Sequence, residues 1–141
     1  MWNMLWPVLL VVGANTLYNI CTKSTPEGAN VFASLLITYL SAAAAALVLY
    51  FVTGGGKNLL AEMGKANWTA YALGLSIVAL EFGFINVYRA GWKISVASLV
   101  CNILLACALL AVGVLVYRES VSPRQLIGAA VCALGLVLIG L

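Results

Sequence analysis

Charge is the scarcest resource in this sequence, and its placement limits the fold. Among 141 residues there are 4 acidic and 7 basic ones, and nearly all fall in bands. Lys23 and Glu27 form one band, and Lys57, Glu62 and Lys65 the next. Arg89 with Lys93, then Arg118, Glu119 and Arg124, complete the series. The intervening runs are apolar and long enough to cross a bilayer, which takes about 20 residues. Composition agrees: 65% of residues are hydrophobic and 8% charged, against about 25% charged in a soluble domain. Lipid offers backbone amides no water to bond, so such runs must be helical. The expected fold is an all-α integral membrane protein, with five transmembrane helices in a single domain over 1-141. Its first partner is the lipid bilayer, and its place a cell membrane that it crosses several times.

Only Glu81 breaks the banding. It sits near the middle of WTAYALGLSIVALEFGFINVYRAGW, residues 68 to 92. A carboxylate at that depth is costly, roughly 2.5 to 3.5 kcal/mol for an aspartate on insertion scales, so it marks a candidate functional site. Helical spacing places Ile85, Tyr88 and Trp92 on its face, with Gly74 and Ile77 or Val78 behind. One carboxylate with two aromatic rings suits a cation or a polar organic solute. The competing reading is a packing face, on which Glu81 bonds a neighbouring helix.

The first helix, about residues 5 to 22, carries Asn15, Tyr18, Asn19 and Thr22 at i, i+3, i+4 and i+7. A polar stripe on a spanning helix should face protein or water. It is expected to line a cavity shared with the 68–92 helix; interhelical hydrogen bonding is the alternative. The second helix, 31 to 52, has Ser34, Thr38 and Ser41 on one face and small residues from Ala42 to Ala46, a close-packing pattern. Residues 57 to 67 read as a loop or short surface helix. In the fourth spanning run, 94 to 117, Ser95, Ser98 and Asn102 share a face. Asn102 is a candidate to meet Glu81 or a solute, or to clasp another helix. The last run begins at Pro123 and has an edge of Gly128, Cys132 and Gly135, a helix-dimerisation signal.

Other chemistries find little support. There is no histidine, and the four cysteines, Cys21, Cys101, Cys107 and Cys132, lie in or beside apolar helices without a CxxC pair. They read as small packing residues. No metal site, cofactor or nucleophile–base pair is expected, and hence no enzyme. The net charge of +3 belongs to the membrane flanks and not to nucleic-acid binding. Five crossings would put Lys57, Lys65, Arg118 and Arg124 on the N-terminal side, against Lys23, Arg89 and Lys93 on the other. That near balance is compatible with insertion in both directions, a dual topology.

The stretch from Val87 to Leu141 resembles the end of an EamA-type half from the drug/metabolite transporter superfamily. There, a helix ends near a tyrosine and a small residue, as at Tyr88 to Gly91. A small-residue helix then closes on an acid, as at Glu119. The last helix has glycines near its start and end, as at Gly128 and Gly135 or Gly140. The polar first helix ending at Lys23 is similar too. The usual members carry two five-helix halves; this chain matches one. The related small multidrug resistance transporters are four-helix proteins that pair in opposite orientations, with an essential glutamate in their first helix. This chain has Asn15 and no acid there, a departure from their cation/proton exchange chemistry.

The resemblance implies a secondary transporter working as a homodimer with antiparallel subunits. Such a protein would export a small polar or cationic metabolite or drug; proton exchange at Glu81 is expected from that residue's own place in an apolar run and not from the resemblance. Asn15, Tyr18, Asn19, Tyr88, Trp92 and Asn102 complete the expected substrate and proton site. The alternatives are a flippase, or flippase subunit, for a lipid-linked sugar, and a non-transporting membrane partner protein.

Overall fold

The computed structural model describes residues 2–53, 58–120 and 122–140. The glycines at 54–56 and Lys57, expected to end the second helix and begin the connection, lie outside them. The described chain is all-helical: α1 (Trp2–Lys23), α2 (Val31–Val52), α3 (Leu59–Met63), α4 (Trp68–Arg89), α5 (Ile94–Leu115) and α6 (Pro123–Gly140). Leu5–Lys23, Val31–Val52, Trp68–Arg89 and Ile94–Leu115 are long and apolar enough to cross a membrane. That is four of the five expected spans; α6 is shorter, at 18 residues.

Local chemistry sets the helix ends. The Asn30 side chain caps α2 by accepting from the Phe32 and Ala33 amides at 2.9 and 3.2 Å. Asn58 caps the single-turn helix α3 through the Leu60 amide at 3.2 Å. Both use the side-chain oxygen to satisfy amides that a first turn leaves unbonded. At α6, Ser122 and Gln125 form a reciprocal capping box: the Ser122 amide donates to Gln125 Oε1 at 2.8 Å, and the Gln125 amide to Ser122 Oγ at 3.4 Å. Pro123 occupies the first helical position, where no amide is needed.

The chain forms two compact units, residues 21–89 and residues 1–20 with 90–141. In the first, α2 packs on α4. Val31, Leu35 and Ile85 form its small core, flanked by Tyr39 and Val78. Phe32 stacks on Phe82 with centroids 5.2 Å apart. In the second unit α5 packs on α6. Most large apolar side chains, such as Leu9, Ile37, Leu75 and Leu109, are exposed. A water-soluble monomer rarely shows so much apolar surface, whereas in lipid such side chains are well solvated.

The hydroxyls of α2 bond along their own helix. Ser34 donates to Asn30 O, Thr38 to Ser34 O and Ser41 to Ile37 O, at 3.2, 3.1 and 2.9 Å. This back-bonding satisfies each donor without a second helix.

Candidate functional site

The unit containing α5 holds a groove of about 600 Å³. One wall is the second half of α1, with Val12, Asn15, Thr16, Asn19 and Ile20. The other is the first half of α5, with Ile94, Ser95, Ser98, Leu99 and Asn102. Helical period explains the pattern, since each set recurs at three- and four-residue steps and so shares a face. Asn15 and Asn19 of the α1 stripe thus share one groove with Ser95, Ser98 and Asn102 of the α5 stripe.

The asparagines are held from within their helices. Asn19 is 5% exposed, and its Nδ2 donates to the Asn15 carbonyl at 2.8 Å and to Asn15 Oδ1 at 2.9 Å. Asn102 Nδ2 donates to Ser98 O at 2.8 Å and to Ser98 Oγ at 3.3 Å. These bonds fix the amide planes. Thr16 Oγ1 donates to its own helix at Val12 O, 2.8 Å away.

The described lining of this groove comes from α1 and α5, all within one unit. Glu81 belongs to the other unit, on the α4 face that meets α2. Val78 and Ile85, its helical neighbours, pack into the α2–α4 core. Sequence reading missed its close companion, Tyr39 of α2. The Tyr39 hydroxyl interacts with the Glu81 carboxyl, but the pair falls short of hydrogen-bond geometry, and Tyr39 Oη is buried without a hydrogen-bond partner. An isolated tyrosine in an apolar helix gives no signal of that contact.

Tyr88 and Trp92 belong to different units. Tyr88 is 4% exposed, with its ring 6.2 Å from that of Phe84. Lys23 Nζ lies 5.6 Å from the Tyr88 ring centroid and donates to the Tyr88 carbonyl at 3.4 Å. Trp92 does not continue the Glu81 face, because α4 stops at Arg89 and Gly91 turns the chain at φ 89°. That left-handed conformation favours glycine, which lacks a Cβ to clash.

Near the α4 terminus, Arg89 Nη2 donates to the Pro26 and Ala29 carbonyls at 3.0 and 2.7 Å, tying the 24–30 connection to the helix end. A cavity of about 100 Å³ there is lined by Thr22, Lys23, Thr25, Glu27, Ile85, Tyr88 and Arg89. Thr22, the last of the expected α1 stripe, thus lines this cavity, while Tyr18 is half-buried and outside the described lining of both. Gly128 and Cys132 of the expected dimer edge are exposed, and among the described residues no atom beyond the chain neighbours and the helix's own nearby backbone comes within 4 Å of a Cβ built on Gly128 or Gly135.

No family model, curated protein or solved structure matches this chain.

Proposed function

We propose that this protein is a secondary transporter for a small polar solute, working in a cell membrane as a homodimer of antiparallel subunits. In this reading α6 is the fifth span, and its edge of Gly128, Cys132 and Gly135 meets the partner. The groove between α1 and α5 carries the solute. Glu81 carries a proton in exchange, and its charge state biases the packing of α2 on α4 beside Tyr39. Alternating access needs two related bundles rocking about a central site, and two copies of a five-helix repeat would supply them.

The observation behind this reading is the groove. It gathers Asn15, Asn19, Ser95, Ser98 and Asn102 on helices otherwise apolar enough for lipid. Polar groups at that depth are costly unless they bond protein, water or a solute. The test is reconstitution into liposomes with a panel of solutes, with and without a pH gradient. A transported solute should be accelerated by the gradient. Glu81→Gln should keep the fold and binding of a neutral solute but lose that acceleration. Gradient-driven uptake persisting in Glu81→Gln would reduce Glu81 to a helix clasp.

A further inference from the structure

Resting on the transporter reading, we infer that the α1/α5 groove selects an uncharged solute bearing hydroxyl or amide groups, rather than an organic cation or anion. The chemistry of the lining carries this. Every polar group among the described lining residues is neutral: asparagine amides on both walls and threonine or serine hydroxyls beside them. Their internal bonds determine what remains for a solute. Asn19 Nδ2 is directed at Asn15 O and Oδ1, which leaves the Asn15 amide NH₂ as a donor. Asn102 Nδ2 is directed at Ser98, which leaves Asn102 Oδ1 as an acceptor. One wall thus offers a donor and the other an acceptor, the complement of a hydroxyl or a carboxamide, both of which donate and accept.

An ion would fare worse in the same place. It would lose hydration to a groove whose remaining wall is apolar, including Val12, Ile20 and Leu99, without gaining an opposite charge. A site built to hydrogen-bond rejects ligands that leave its groups unpaired far more strongly than an apolar pocket rejects a shape.

The experiment uses matched solutes differing in charge: sorbitol, glucamine and gluconate, then nicotinamide, 3-aminomethylpyridine and nicotinate. Radiolabelled uptake into proteoliposomes, and protection of the full-length protein against thermal unfolding, are measured for each. The neutral member of at least one series should be taken up and protect, roughly tenfold better than its amine or acid. Asn102→Asp should then move the preference towards the amine. Ser98→Asp serves the same purpose if Asn102→Asp does not fold. Preference for an amine or acid in the unaltered protein, or no shift in either folded variant, overturns this inference and leaves transport standing. Failure of all six solutes both to cross and to protect overturns the transporter reading, and this inference with it.

Discussion

Asn15 and Asn19 differ in what their loss should cost. Asn19 is buried and its amide spans two acceptors of Asn15, whereas Asn15 is exposed to the groove. Hydrogen bonds of membrane helices average about 0.6 kcal/mol and reach about 1.7, so Asn19→Leu and Asn15→Leu should each cost under about 2 kcal/mol of stability. A lost solute hydrogen bond costs about 1 to 2 kcal/mol, roughly a tenfold drop in affinity. Paired measurements of uptake and thermal stability check this; intact uptake in both variants would make the stripe a packing feature. Arg118 is a second residue-scale case. It holds φ 53° just beyond α5, where the Glu119 amide returns to the Gly113 carbonyl at 3.0 Å. A side chain in that region costs about 1 to 2 kcal/mol, while glycine adds about 0.4 to 1 kcal/mol of unfolded-chain entropy. Arg118→Gly should therefore raise stability by about 0.5 to 1 kcal/mol on balance. A lower melting temperature in detergent would contradict this.

At the scale of elements, the α1–α2 connection depends on α4. Arg89 bonds two carbonyls of that connection with one nitrogen, and hydrogen bonds from a charged donor are worth about 1.5 to 3 kcal/mol. Arg89→Leu leaves both carbonyls without their donor. It should lower stability by about that amount and open residues 24–30 to protease. Unchanged cleavage would show that the connection is held by its own turns, such as Ala29 N to Pro26 O at 3.2 Å. This tie also explains why the helix ends before Trp92. The sequence reading carries the helix through to Trp92, past the Arg89 of the charge band, but the Arg89 anchor and the Gly91 turn at φ 89° stop it earlier. A hydropathy pattern registers that Arg89 is polar, but neither its carbonyl partners some 60 residues away nor the left-handed turn at Gly91.

For the whole molecule, the test is assembly. The flanking charges are nearly balanced, and α6 leaves Gly128 and Cys132 exposed along one edge. In the antiparallel dimer, tags at the N-terminus should be found on both sides of the membrane in comparable amounts. Gly128→Leu with Gly135→Leu should weaken the dimer, read as a loss of crosslinked dimer in native membranes. A single tag orientation would end the antiparallel version.

The bands of charge located the four helices long and apolar enough to cross a membrane, because the length of an apolar run can be compared directly with the thickness of a bilayer. The caps were equally local: Asn30, Ser122 and Gln125 bond amides within three residues. Helical period also made the stripes on α1 and α5 legible one helix at a time. Which stripes share a groove, and which face of α4 meets Tyr39, only the tertiary structure decided. Helix pairing in lipid lacks a strong hydrophobic drive and turns on the detailed fit of side chains. Glu81 illustrates the limit: its cost was plain from its place in an apolar run, but its neighbour lies 42 positions away in the sequence, on a helix whose own pattern gives no sign of the contact.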